Sequence, residues 1–209
     1  MPVPPYNQPT MIKTLLIATG NQKKRTEMEE LTSDLGWEIK TLRDFPPLPD
    51  VVEDGTTFVE NARKKAVHYA NLTGFLTLAD DSGLVVDALG GRPGIYSARY
   101  AAGEGSSDAA NLLKVLDEMA DVPEPERTAR FVCAAVVAST EAVLFETQQT
   151  VEGLLLYQPI GDGGFGYDPI FYYPPFLQTF AEIPSAQKHT VSHRGKALRD
   201  VSRFLHQLT

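Results

Sequence analysis

The chain has 209 residues, 43% of them hydrophobic, and a formal net charge of −8. That composition excludes a disordered chain and disfavours non-specific binding to nucleic acid or an anionic membrane. A single cysteine, Cys133, excludes an intrachain disulfide and fits a reducing compartment.

The opening segment, MPVPPYNQPT, is rich in proline and lacks the charged-then-apolar build of a signal peptide. It reads as a loose tail over residues 1–13, ahead of a single domain over residues 14–209, with Met11 as an alternative start. Residues 14–18 form a short apolar strand, broken by Thr19-Gly20-Asn21. A helix follows to about Leu35, with Met28, Leu31 and Leu35 on its apolar face and Gly36 as its stop. Residues 37–42 are a second strand, and a loop rich in proline and acid runs from Asp44 to Gly55. Thr57 caps the next helix and Glu60 completes a capping box. Phe58, Ala62, Ala66 and Tyr69 mark that helix's buried side, and Gly74 ends it.

Residues 75–79 read as a buried strand that ends in a turn, Asp80-Asp81-Ser82-Gly83. A second apolar segment, residues 84–89, and a turn at residues 90–94 come next. Ser106 or Ser107 opens a helix with Leu112, Leu113, Leu116 and Met119 on one face. Residues 128–139 and 142–157 are long enough and close enough to pair as a hairpin, with Cys133 as a buried, inert thiol. The longest apolar run, residues 131–138, is far too short to span a bilayer. A glycine-rich loop at residues 161–166 precedes Tyr167-Asp168-Pro169. Ser192 caps the last helix, whose apolar positions include Leu198, Val201, Leu205 and Leu208. There is no repeat and no internal linker. A soluble cytoplasmic protein is the expectation.

The residues that could do chemistry fall into a few groups. Asp80 and Asp81 follow an apolar strand, where acids are seldom buried unless paired or bound to a metal. Side by side they repel, so one pKa rises unless a cation neutralises the pair, and a divalent metal with oxygen ligands would do so. A solvated Asp-Asp-Ser-Gly turn is the plainer reading. TGNQKK, Thr19 to Lys24, resembles a phosphate cradle at a helix N-terminus, although a simple Asn cap explains it as well. It lacks the P-loop pattern. Glu53 and Asp54 precede the second helix, and Lys65 on that helix could reach a phosphate. Phe165, Gly166, Tyr167 and Asp168 set aromatics and an acid among glycines, suited to stacking on a base and hydrogen bonding to it. Lys188, His189, His193 and Arg194 form a basic cluster. The cations at the start of the last helix oppose its dipole, a penalty that an anionic or acceptor-rich ligand would offset. The chain has no GxSxG elbow, which argues against a serine hydrolase.

TGNQKK, FVENARKKA, LADDSGL, GGRPGIYSARY, GGFGYDPIF, FAEI and VSHRGKAL occur in that order. In this the chain resembles the inosine/xanthosine triphosphate pyrophosphatases from about Leu15 to Leu205. The resemblance implies an α/β fold with an elongated central mixed β-sheet flanked by helices, and two lobes with an active-site cleft between them. It also implies a homodimer. The reaction implied is Mg²⁺-dependent hydrolysis of ITP, dITP or XTP to the monophosphate and pyrophosphate. Carried over, Asp81 matches the catalytic acid and Ser82 a substrate contact. Thr19, Gly20, Asn21, Gln22, Lys23 and Lys24 match the triphosphate-binding turn, and Lys65 joins them. Phe165, Gly166, Tyr167, Asp168, Lys188, His193 and Arg194 match the nucleoside-binding set. Glu53 with Asp81 is the best match for the metal site. The chain departs from the common pattern at Val52-Glu53-Asp54-Gly55, which leaves Glu53, Asp54 and Asp80 as alternatives for completing the metal site, and at Gln187-Lys188-His189. A pyrophosphatase for pyrimidine or modified triphosphates, and a nucleotide-binding module without turnover, are the competing readings. A metal-dependent nuclease fits poorly with the acidic balance.

Overall fold

The computed structural model describes residues 13–33, 36–101 and 106–208. Leu35, the Leu31 side chain and residues 1–12 of the expected tail lie outside the described residues.

Period-two side-chain alternation organises the centre. Strand β1 (Thr14–Ile17) sends Leu15 and Ile17 to one face, Leu16 to the other, all fully buried. A strand buried on both faces must be covered on both sides. Helix α1 (Gln22–Thr32) follows β1, and β2 (Glu38–Thr41) pairs parallel to β1 on its outer side. Helix α2 (Phe58–Thr73) starts where the sequence places it. Thr57 Oγ1 accepts from Glu60 N, Glu60 Oε2 accepts from Thr57 N, and Gly74 closes the helix with φ 74°. Phe58, Ala62, Ala66 and Tyr69 are buried as expected.

Strand β3 (Leu76–Val86) corrects the sequence reading. The two expected segments are one continuous strand, and Asp80-Asp81-Ser82-Gly83 lies in its middle rather than in a turn. The cause is its neighbour β4 (Thr128–Ala138), which pairs antiparallel with β3 from Thr77 to Val86 and holds the polar segment extended. On the other side β1 matches only Leu76 to Leu78, and its last link is Ala18 N donating to Leu78 O, 2.8 Å. The acids therefore sit just past the point where β1 ends.

Helix α3 (Asp108–Glu118) is capped by Ser107, whose Oγ accepts from Ala110 N. Leu112 and Met119 are buried as expected, but Leu113 is 61% exposed and Val115 takes the buried place. Strand β5 (Val143–Leu155) completes the expected hairpin with β4. Short strands β6 (Phe171–Tyr173) and β7 (Gln178–Thr179) extend the sheet, which has the order β2-β1-β3-β4-β5-β6-β7. The sheet is mixed, since the two pairings of β1 are parallel and the others antiparallel. A short helix, α4 (Ser185–Val191), precedes α5 (His193–Gln207), capped by Ser192 Oγ accepting from Gly195 N. Leu208 is only partly covered at the end of α5.

The core has three parts. One lies between α2 and one face of β1, β3 and β4. The second lies between α1, α5 and the opposite face, and contains Cys133. The third surrounds α3, the far ends of β3 and β4, and an aromatic group of Phe131, Phe171 and Phe180. Arg127 is buried there with no carboxylate partner among the described residues. Its guanidinium donates to the carbonyl oxygens of Met119, Val122, Leu155 and Leu156, at 2.6–3.1 Å. Among the described residues no helix is long and apolar enough to cross a membrane.

Candidate active site

Successive residues of β3 point to opposite faces, so Asp80 and Asp81 do not share one site. Asp80 faces α1 and α5. Its Oδ2 is 3.2 Å from Lys24 Nζ and 3.4 Å from Arg194 Nη2. Burial works against its charge, but Lys24 and Arg194 hold its carboxyl far below the usual carboxylate range. Asp81 faces α2. Its Oδ2 accepts from Asn61 Nδ2 at 3.1 Å and its Oδ1 accepts from Ser82 N at 3.0 Å. Burial pushes the Asp81 carboxyl upward, and Lys24 and Lys65 only partly oppose it. The expected split between two neighbouring acids is present. Its cause is their separate surroundings, not mutual repulsion.

Asp81 lies at a cleft of about 570 Å³. Asp81, Ser82, Lys24, Lys65 and Glu53 line it, with Thr19, Gly20 and Asn21 of the first turn. Phe165, Gly166, Tyr167, Asp168, Lys188, His193 and Arg194 line it as well. Asp80, facing away, does not. Gln22 and Lys23 do not line it either. Gln22 Oε1 accepts from Arg43 Nη2 at 2.9 Å, and Lys23 reaches the rim, 3.8 Å from Asp108 Oδ2. The first turn is an Asn cap: Asn21 Oδ1 accepts from Lys23 N and Lys24 N, at 2.9 and 3.1 Å. Those two amides are thus already satisfied, and the turn's charge toward the cleft comes from Lys24.

The structure separates Glu53 from Asp54. Glu53 lines the cleft, and its Oε2 is 2.9 Å from Lys65 Nζ, which also donates to Asp80 O at 3.1 Å. Asp54 is exposed and pairs with Lys64 outside the cleft. Glu60 is used in the capping box. Among the described residues there is no cluster of three or more His, Cys, Asp or Glu able to hold a metal. The oxygen donors of Glu53 and Asp81 still suit a hard cation that takes one or two carboxylates and completes its shell with water and phosphate oxygens. Burial leaves the Asp81 charge incompletely neutralised, which fits a cation beside it.

A chain of alternating charges links Asp168, Lys188, Glu27, Arg194 and Asp80. Asp168, fully buried, accepts from Lys188 Nζ at 2.6 Å and from Phe165 N at 2.8 Å. Lys188 Nζ is 3.6 Å from Glu27 Oε1, and Glu27 Oε2 accepts from Arg194 Nη1 at 2.5 Å. Arg194 Nη2 also donates to Ser82 Oγ at 2.8 Å, and Arg194 pairs with Asp80. The ammonium of Lys188 and the guanidinium of Arg194 lie 5.2 and 5.6 Å from the Phe165 ring centroid. Gly164 makes the loop possible: its φ is +67°, and a Cβ there would fall 2.1 Å from Asp168 Oδ2. His193 stacks on Phe131 at 4.8 Å and 11°. Burial and then Arg194 push its pKa well below the ordinary histidine value, so the ring is neutral. This corrects the expectation that two cations at the start of α5 await an anionic ligand. One is uncharged, and Glu27 and Asp80 meet the charge of the other.

Glu27, Asn61, Asp108, Ser97 and Phe131 were not assigned from the sequence. Glu27 lies one turn beyond Lys23-Lys24, and Asn61 lies four residues before Lys65, so helical spacing alone places each beside a residue that was assigned. Asp108 Oδ2 accepts from Gly166 N at 3.0 Å, and Tyr167 Oη donates to Ser97 O at 2.8 Å. Both contacts join segments far apart in sequence, and no local signal announces them.

A mixed α/β sheet with a cleft lined by charged side chains, a lysine-bearing helix start at the end of β1 and a buried acid between Lys24 of that helix and Lys65 of α2 defines a class of nucleotide-handling proteins. The model of the Ham1 family matches residues 15–204, and the chain belongs to that family. It is 46% identical over 194 residues to the dITP/XTP pyrophosphatase of Desulforamulus reducens, covering 93% of this chain and 96% of that one. It is 49% identical over 184 residues to the dITP/XTP pyrophosphatase of Geobacter sulfurreducens, covering 88% and 92%. Its fold is similar to that of a HAM1 protein from Coxiella burnetii, with a TM-score of 0.85 at 40% identity over 94% of this chain and 100% of that one.

Proposed function

We propose that this protein hydrolyses non-standard purine nucleoside triphosphates, dITP, ITP and XTP, to the monophosphate and pyrophosphate. The observation that carries this reading is the cleft itself. A buried acid with two lysines within electrostatic reach and a glycine-aromatic loop tied to an acid-lysine pair line the same cleft. The relatives' activity supports it.

The triphosphate lies toward Lys24 and Lys65, and the nucleoside lies toward Phe165 to Asp168, Lys188, His193 and Arg194. Asp81 orients the attacking water and takes its proton. Lys24 and Lys65 stabilise charge on the departing pyrophosphate. Glu53 and Asp81 would hold Mg²⁺, which supplies neutralisation of phosphate charge and a more acidic water. Hypoxanthine and xanthine offer an acceptor at position 6, where adenine offers a donor. Donors from Lys188 and Arg194 therefore favour the first two.

The test is a panel of purine and pyrimidine triphosphates with pyrophosphate release as the readout, with and without chelator. Release of pyrophosphate from dITP, ITP or XTP in preference to ATP and the pyrimidine nucleotides, abolished by chelation, is the expected result. Preference for a pyrimidine triphosphate, or orthophosphate as the product, would overturn the reading. We also infer a homodimer in the cytoplasm from the family resemblance. Light scattering on the purified protein tests the dimer, and a monomeric mass would exclude it.

A further inference from the structure

We infer that Asn61 is a positioning residue that fastens the Glu53 loop to the acid Asp81 with one side chain, so that the two carboxylates are set as a unit. This rests on the proposed hydrolytic function and deepens it. Asn61 is 1% exposed and sits on the first turn of α2. Its Nδ2 donates to Asp81 Oδ2 at 3.1 Å, and its Oδ1 accepts from Gly55 N at 2.8 Å. The two ends of the amide thus reach two different segments: β3, which carries the acid, and the loop that carries Glu53 two residues before Gly55. The contacts fix which way the amide points, because only nitrogen donates to a carboxylate and only oxygen accepts from a backbone N–H. The fit at the loop is close. A Cβ on Gly55 would fall 2.6 Å from Asn61 Oδ1, so the backbone approaches the amide as only glycine allows.

A second feature points the same way. The loop has its own attachment to α2, since Thr56 N and Thr56 Oγ1 both donate to Glu60 Oε2. That contact is exposed and does not reach β3. Asn61 makes the loop's buried side-chain contact, and it is the one that continues to the acid. Lys65, one turn further along α2, pairs with Glu53. Helix α2 therefore presents Asn61 and Lys65 on one face as a two-point mount for Glu53 and Asp81.

The experiment uses the full-length protein and two variants, Asn61→Ala and Asn61→Asp. The first removes both contacts. The second keeps an acceptor for Gly55 N but cannot donate to Asp81 when ionised. Three quantities are measured: kcat and KM for dITP, hydrogen exchange of the Gly55 amide in metal-free, nucleotide-free protein, and Tm. In Asn61→Ala, kcat should fall about ten- to a hundred-fold, the range for losing a hydrogen bond to a charged group. KM should change little, because the nucleoside end is untouched, and Gly55 exchange should accelerate. In Asn61→Asp, Gly55 should keep its protection while kcat still falls. A change in Tm alone, with kcat per folded molecule unaltered, would reduce Asn61 to a packing residue and overturn the inference. Unchanged Gly55 exchange in Asn61→Ala would also overturn it. If Asn61→Ala does not fold, Asn61→Asp decides by its kcat. A wild-type enzyme inactive on dITP would instead sink the functional reading, while the Gly55 exchange would still report on the mount.

Discussion

At the scale of single residues, the two adjacent acids have opposite energetics. Asp80 is held ionised by two cations, and Asp81 is left with a charge that its surroundings do not fully support. Asp81→Asn should therefore lower turnover by about a hundred-fold or more, the scale of losing a general base. Turnover near wild type at saturating Mg²⁺ would contradict this. Arg194→Ala should behave differently. It strips Asp80 and Glu27 of a shared buried partner, a change that costs about 3–5 kcal/mol when one member of a buried pair is removed. Its effect on kcat/KM should be larger for ITP than for ATP, because ATP lacks the acceptor that Arg194 would serve. An unchanged ITP-to-ATP ratio would place Arg194 in the scaffold alone.

At the scale of elements, helix starts carry much of the site. Ser192 caps α5 directly before His193 and Arg194, and Thr57 caps α2 before Asn61 and Lys65. Ser192→Ala should cost about 0.5–2 kcal/mol of stability, read as a shift in urea midpoint at constant slope. A slope change would mean that the fold itself had altered. These caps were legible because a capping box and a Ser before a helical pattern are local signals. So were the strand β1, the α2 face and the β4–β5 hairpin. The mid-strand position of Asp80 and Asp81 was not legible, because Asp, Ser and Gly favour turns and only the long pairing with β4 overrides them. Helix α4 and strands β6 and β7 were missed because each is too short to show a period. The site was legible mainly through its motifs. Which acid faces which helix followed from a strand register that motifs do not carry.

At the scale of the whole molecule, the buried charges make stability depend on pH. Asp80 and Glu27 have lowered pKa values, so their contribution is complete above the ordinary carboxylate range and is lost as pH falls through the folded values. His193 is buried neutral with a lowered pKa, so its contribution is complete above about pH 6.5 and declines below that as the unfolded chain takes up a proton. Asp81 and Asp168 have raised values and act in the opposite sense, gaining relative stability as the pH drops into the carboxylate range. The urea midpoint should begin to fall below about pH 6.5, the unperturbed histidine value, with Asp80 and Glu27 adding to the loss near pH 4 and below. A midpoint flat from pH 7 to 5 would refute the histidine assignment. The long pairing of β3 with β4 has a further, mechanical consequence. Both strands run from the core beneath α2 and α5 into the core around α3, so the two regions are ends of one ribbon rather than bodies joined by a hinge. Neither half of the chain keeps a complete sheet if it is cut out. Heating should therefore give one cooperative transition, and a fragment bearing the nucleotide loop without β3 should remain unfolded. The ribbon that carries Asp81 thus ties the acid to both regions of the core.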